Sequence, residues 1–146
     1  MYKKIILAYD GSASGQLALL GIKDLAYWER PSLTLVAVLP MTTLETGAIE
    51  MGYLGKICDA QSEEMLKDQL RRGVKTLRSM GFEANGEILK GEVIREITRY
   101  AKDNHADLIV IGHKHEKNLL RRWWSGSTAK SLVEESPCNV LIVVHD

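Results

Sequence analysis

The sequence of 146 residues has few of the residues that mark special classes of protein. Its two cysteines, Cys58 and Cys138, lie far apart and have neither metal-site spacing nor the density of a disulfide framework. Three prolines form no Pro-rich stretch, and 45% of the residues are hydrophobic. These scarcities argue against a disulfide scaffold or a disordered chain. They favour one globular domain over residues 1–146, with two reduced thiols.

Long hydrophobic runs and an excess of one charge are also missing. No apolar stretch approaches the roughly 20 residues that a membrane-spanning helix needs, and the apolar segment near the N-terminus is too short for a signal peptide. Lys and Arg together number 19, as do Asp and Glu, so the net charge is zero. The sequence therefore predicts a cytoplasmic protein with no general affinity for membranes or nucleic acid.

Apolar runs rich in branched residues alternate with stretches of helical periodicity. The runs predict five strands, at Lys3–Tyr9, Leu33–Leu39, Glu83–Leu89, the run from Asp107 that stops at Gly112, and Val140–Val144. This strict alternation predicts an α/β fold, an open parallel sheet with helices on both faces. The third strand alternates more than the others, so we expect it at an edge of the sheet.

The part of the chain between strands two and three divides into two segments. Residues 41–56 contain three glycines and are predicted to be irregular, either a loop over the sheet edge or a flap over a ligand. A long helix is predicted from about Cys58 to Met80, with its charged residues forming a solvated face.

Small and acidic residues follow two of the predicted strands. Ligands of open α/β sheets bind at the carboxyl ends of the strands. Asp10 follows strand one and can bond ribose hydroxyls or an adenine amino group, although a turn or helix cap uses the same residue. Gly112 ends strand four, and Gly126, Ser127 and Thr128 begin the next helix. Their backbone N–H groups and hydroxyls predict a phosphate site, and an ordinary helix cap is the alternative.

A basic loop joins these two phosphate-site segments. His113, Lys114 and His115 are better candidates for phosphate contacts than for a metal site, because two histidines without a third ligand make a poor zinc site. The pair Trp123-Trp124 is interpreted as packing in preference to stacking on adenine. No Gly-x-Gly-x-x-Gly, Walker loop, nucleophile elbow or acid–base pair is present, so we expect no enzyme beyond slow ATP hydrolysis.

Five motifs give the chain a family resemblance over essentially its whole length. They are Lys-Lys-Ile-Ile-Leu-Ala-Tyr-Asp-Gly-Ser at the start, Gly91-Glu-Val, Ala106-Asp-Leu-Ile-Val-Ile-Gly, Gly126-Ser-Thr and Ser136-Pro-Cys-Asn-Val-Leu-Ile-Val-Val. In this order they resemble the small single-domain universal stress proteins. The resemblance implies a Rossmann-like sheet of order 3-2-1-4-5, of the adenine-nucleotide alpha-hydrolase-like kind. It also implies a homodimer formed through the last strand, Val140–Val144.

One branch of this family binds ATP through the pattern Gly, two residues, Gly, nine residues, Gly, then Ser or Thr. This glycine pattern can be carried over to this chain. The resemblance implies that Gly112 is the first glycine, Gly126 the third and Ser127 the hydroxyl, and that Asp10 meets the ribose or base. It further implies that Val38 offers its backbone to adenine and that Ala8 and Tyr9 line the pocket floor. Mg²⁺ can bridge the phosphates, although no carboxylate of the loop is placed to hold it.

The chain departs from the glycine pattern at two points. His115 stands where the second glycine would be, and ten residues instead of nine separate it from Gly126. A second branch of the family lacks the pattern, has a histidine-rich stretch here and is described as not binding ATP. The favoured hypothesis is a stress-response protein with ATP as a regulatory ligand. The alternatives are a dimer that acts through protein partners, with His113 to Arg122 as docking surface, and, less favoured, an adenylating or hydrolytic enzyme.

Overall fold

The computed structural model of the protein describes residues 2–11, 13–26, 30–39, 52–114 and 126–145. Strands and helices alternate along the described residues. In chain order the elements are β1 (Lys4–Ala8), α1 (Ala13–Ala26), β2 (Ser32–Leu39), α2 (Gly52–Ser79), β3 (Glu83–Lys90), α3 (Val93–Asp103), β4 (Leu108–Lys114), α4 (Gly126–Glu135) and β5 (Asn139–His145). The predicted alternation of strand and helix is therefore confirmed.

The five strands form one parallel sheet of order β3-β2-β1-β4-β5, which confirms the predicted order and the edge position of β3. Right-handed crossovers carry α1 and α2 to one face and α3 and α4 to the other. In agreement, α1 packs against α2, and α3 packs against α4. The strand order reverses between β1 and β4, which is where open α/β sheets place their ligand crevice.

The core lies along the three central strands. Leu7 of β1, Leu35 of β2 and Ile109 of β4 are completely buried, and most residues beside them are nearly so. A parallel sheet with both faces covered needs apolar residues on both sides of each strand, which is why these strands are continuous apolar runs.

The bounds of two elements differ from their prediction by more than one residue. Helix α2 begins at Gly52, six residues before Cys58, so the predicted irregular segment is helical from residue 52 onward. Each glycine costs a helix about 1 kcal/mol, but each residue added to an existing helix also adds one hydrogen bond. The glycines near the start of α2 therefore did not prevent the helix from extending over them. Residues 41–51 lie outside the described residues, and so does the choice between loop and flap.

Strand β4 also continues to Lys114, two residues past the predicted end at Gly112. The extra length is tertiary in origin, because the ladder with β5 runs on from Gly112 opposite Val143 to Lys114 opposite His145. The pairing of β4 with β5 does not change the hydrophobic pattern of β4, so the end of the strand could not be predicted from that pattern.

Asp107 fastens the start of β1 to the start of β4. Its Oδ2 atom accepts hydrogen bonds from the backbone N–H groups of Lys3 and Lys4, each at 2.8 Å, and its own N–H donates to the carbonyl of Lys4 at 2.9 Å. The two amide bonds to the carboxylate, that of Lys4 first, lower the pKa of Asp107. The acidic residue of the Ala106-Asp-Leu motif thus has a structural role at the amino ends of the strands.

We expect Asp107→Asn to lower the urea midpoint of unfolding at neutral pH. Because the folded pKa lies below the unfolded one, the carboxylate stabilises the fold above the ordinary aspartate pKa of about 3.9, and this contribution is lost as the pH falls through the folded pKa. The gap between wild type and variant should therefore narrow in acid. Asp24→Asn, at an exposed position of α1, is the control. A gap that stays constant with pH would contradict this role.

Candidate functional site

The carboxyl ends of β1, β2 and β4 meet at one edge of the sheet. Ala8, the last residue of β1, lies opposite Val36 of β2 and Ile111 of β4. Val38 follows two residues after Val36, and Gly112 follows directly after Ile111. Since each residue of a strand advances the chain by about 3.3 Å, Val38 and Gly112 lie only one or two residues farther along the strand direction than Ala8.

Strand β2 extends beyond the level at which β1 ends. The N–H of Tyr9 donates to the carbonyl of Val36 at 2.9 Å, and the chain then turns through Asp10 and Gly11. Carbonyls of alternate residues in a strand point the same way. The carbonyl of Val38 therefore points in the same direction as that of Val36, toward the β1 side, beyond the last ladder pair. Val38 is completely buried. This position suits the predicted backbone contact with a flat base.

Tyr9 presents its backbone, and not its hydroxyl, to this edge. The side chain is 5% exposed, and its hydroxyl donates to Oε1 of Gln16 in α1 at 2.8 Å. Its ring lies beside Gly73 of α2. Burial and, second, the neighbouring carboxylate of Asp10 raise the pKa of Tyr9, against the opposing charge of Arg72. Tyr9 therefore keeps its proton at neutral pH and packs between α1 and α2.

The turn after Asp10 is braced by α2. Gly11 has φ +75°, a conformation that favours glycine, and a Cβ at this position would overlap the carboxamide of Gln69. The half-buried Asp10 is thereby held directly beyond the end of β1. Sequence reasoning did not identify Gln69 or Gln16 as site residues. Nothing in the sequence marks them, because helix packing alone brings them to this turn.

Helix α4 begins at the same edge of the sheet. It returns the chain from the carboxyl end of β4 to the amino end of β5, and Gly126, Ser127 and Thr128 form its first turn. The first N–H groups of a helix have no partner within it and carry partial positive charge. The predicted phosphate-binding residues thus lie in the first turn of a helix, and the chain reaches this helix from the carboxyl end of β4.

The remaining predicted site residues divide into two groups. The backbone of His113 and Lys114 continues β4 beyond Gly112. His115 and the pair Trp123-Trp124 lie outside the described residues. Among the described residues, no three His, Cys, Asp or Glu side chains are grouped so that they could hold a metal ion. None of the helices in the described part of the chain is long and apolar enough to cross a membrane.

An open parallel sheet whose strand order reverses beside a small-residue helix start places this protein in the Rossmann-like class of α/β proteins. The model of the universal stress protein family matches residues 1–144. The chain belongs to this family.

Individual relatives agree with this assignment. A putative universal stress protein of Staphylococcus saprophyticus, SSP1056, is 32% identical over 148 residues, which cover 97% of this chain and 83% of that protein. The solved structure of universal stress protein UspA from Lactobacillus plantarum superposes with a TM-score of 0.81 at 25% identity, covering 97% of each chain.

Two other solved structures share the fold and contain an adenine nucleotide. A universal stress protein family protein of Arabidopsis thaliana has AMP bound. It superposes with a TM-score of 0.69 at 15% identity, covering 99% of this chain and 92% of that one. A universal stress protein in complex with cAMP superposes with a TM-score of 0.66 at 17% identity, covering 97% and 96%.

Proposed function

We propose that this protein is a cytoplasmic stress-response protein that binds ATP as a regulatory ligand at the carboxyl edge of its sheet. The observation that carries the proposal is the meeting of four features there: the Asp10 turn, the end of β2, Gly112 and the start of α4. The AMP and cAMP complexes support it, because they show adenine nucleotides bound to proteins of this fold.

Each residue of the site has a separate role in this proposal. Asp10 accepts hydrogen bonds from the ribose hydroxyls, Val38 offers its backbone to adenine, and Ala8 and Tyr9 form the floor beneath the base. Phosphates lie against backbone N–H groups and hydroxyls at four positions, Gly112, Gly126, Ser127 and Thr128. The basic segment His113, Lys114 and His115 contributes positive charge beside the phosphates, and Mg²⁺ can bridge them.

Nucleotide binding in this proposal serves regulation and not turnover. Efficient hydrolysis needs a base within hydrogen-bond reach of the attacking water, and none of the proposed site residues has this role. Bound ATP would instead bridge the strand ends and the start of α4. We expect hydrolysis to be slow compared with the exchange of the nucleotide.

Equilibrium dialysis against ATP tests the proposal directly. We expect saturable binding, which Gly126→Ala weakens without unfolding the protein, because a methyl group at the first residue of α4 keeps phosphate away from the backbone. No binding at millimolar ATP by folded protein would reject the proposal. That result would favour the alternative, a dimer that acts through protein partners.

The second part of the proposal is a homodimer formed through β5. Among the described strands, β5 pairs only with β4, so its other edge offers unpaired backbone groups. Its apolar residues stay partly exposed, and Val144 is 53% exposed. An apolar strand at a sheet edge is stabilised when the same strand of a second copy pairs with it around a two-fold axis.

We expect Val144→Lys to shift the protein from dimer to monomer, because a charge on both copies would meet at the two-fold interface. Light scattering after gel filtration measures the change. Val133→Lys is the matched control, since Val133 is 56% exposed and belongs to α4, outside strand β5. A wild-type monomer, or equal dissociation by both variants, would contradict the proposed dimer.

A further inference from the structure

An open groove runs between α2 and the edge strand β3, on the face of the sheet that also carries α1. Its volume is about 630 Å³. All the described residues that line it come from these two elements, so they provide a base and one wall. We call it the α2–β3 groove. None of the described residues that line it belongs to the proposed nucleotide site.

The base of the groove is apolar. Leu70 and Val74 of α2 lie there, 5% and 9% exposed, next to the half-buried Ile88 of β3. Gly86 allows this close approach, because a Cβ at Gly86 would come within 3.2 Å of Cγ2 of Val74. Since β3 is the last strand on this side of the sheet, no further strand covers the flank of α2 in the described structure.

The rim of the groove is positively charged. Every charged residue among the described lining residues is basic, and the four follow one another at intervals of four, four and three along α2: Lys67, Arg71, Lys75 and Arg78. At 1.5 Å per residue, this row provides one cation per helical turn over about 16 Å.

Among the described residues, carboxylates compensate only the first two cations of this row, and the second is paired with Asp68, whose Oδ1 lies 3.6 Å from Nη1 of Arg71. Nζ of Lys67 lies 3.5 Å from Glu63 and 3.4 Å from Glu64. Farther along, Nε of Arg78 donates to a carbonyl, that of Ala84, at 2.9 Å. Among the described residues, Lys75 has no carboxylate within ion-pair distance.

We propose that the α2–β3 groove docks an acidic amphipathic helix of a partner protein. A helix beside α2 can offer a carboxylate at every turn, in step with the row of cations, and an apolar stripe to the base between them. It also supplies the wall that the described residues do not provide. A small anion would engage one or two of the four cations, and a nucleic acid backbone would make no use of the apolar base.

Fluorescence anisotropy with a labelled synthetic peptide tests the docking. The peptide is a helix of leucine and glutamate, about four turns long, with its leucines on one face. We expect saturable binding that weakens as salt is added. A peptide of the same composition with scattered leucines should bind at least about tenfold more weakly, because it cannot present charge and apolar stripe together.

Charge reversal locates the site of binding. Arg71→Glu with Lys75→Glu should weaken the peptide at least about tenfold, because two attractive contacts become repulsive. The matched control reverses two exposed cations of α3, Arg95 and Lys102, on the opposite face of the sheet, and should leave binding unchanged. Both double variants place the new charges on exposed helix surface, and circular dichroism checks that they fold.

Four results of the peptide experiments would overturn the proposal. They are equal binding of the two peptides, absence of saturable binding, equal weakening by the two double variants, and displacement of the peptide by a single-stranded oligonucleotide that binds more tightly. Self-association of the protein that only Arg71→Glu with Lys75→Glu abolishes would also overturn it, since the occupant would then be a second copy of this chain.

Discussion

Replacing Asp10 by alanine is expected to weaken the binding of ATP by about tenfold to a hundredfold. Hydrogen bonds to a charged group contribute about 1.5–3 kcal/mol, and each 1.4 kcal/mol corresponds to a factor of ten in affinity. The carboxylate stands on a turn held in place by Gln69 and by the end of β1, so it is already oriented before the nucleotide arrives. Isothermal titration calorimetry of both proteins measures the difference.

The matched control for this variant is Asp24→Ala. Asp24 is exposed near the end of α1, toward the amino ends of the strands, so removing its carboxylate should leave the affinity unchanged. Equal affinity of wild type and Asp10→Ala would show that this carboxylate does not meet the nucleotide. Weakening by Asp24→Ala to the same extent would point to a general effect of charge.

The same substitution in two helices should change stability in opposite directions. At Gly73 of α2, a Cβ would overlap Cδ2 of the buried Leu35 and come within 3.1 Å of Cδ1 of Leu19. At Gly21 of α1, a Cβ would meet no atom within 4 Å. Alanine is favoured over glycine in a helix by about 1 kcal/mol, whereas overpacking a core costs about 1–3 kcal/mol.

We therefore expect Gly73→Ala to lower the free energy of unfolding by up to about 2 kcal/mol and Gly21→Ala to raise it by about 0.5–1 kcal/mol. Urea denaturation measures both values, and unchanged m-values would confirm that only stability has changed. A rise in stability for Gly73→Ala would show that α2 can move away from the sheet at small cost.

The sequence predicted the strands well because their signal is local. Continuous apolar runs as short as Ile5–Ala8 favour buried strands over helices, and the alternating pattern of β3 marked it as an edge strand. The end of β4 could not be predicted in the same way. Its last residues are held by pairing with β5, and that pairing depends on where the two strands meet in space.

The candidate site was predictable only in its motif residues. Asp10 and Gly112 stood out because small or acidic residues directly followed apolar strands. Gln69 carried no such signal, since its position beside the Asp10 turn follows from how α2 packs. Asp107 belonged to a recognised motif, but its bonds to the start of β1 depend on strand order, which the resemblance supplied and periodicity did not.

Two-dimensional NMR of the labelled protein during titration with ATP tests the central claim most directly, because it locates the ligand residue by residue. The account predicts that the backbone amides of Asp10, Gly112 and Gly126–Thr128 shift together and saturate at one affinity. Shifts confined to the row from Lys67 to Arg78, with those at the carboxyl edge unchanged, would contradict it. ATP would then bind as a simple anion on α2, and the nucleotide site proposed at the strand ends would be wrong.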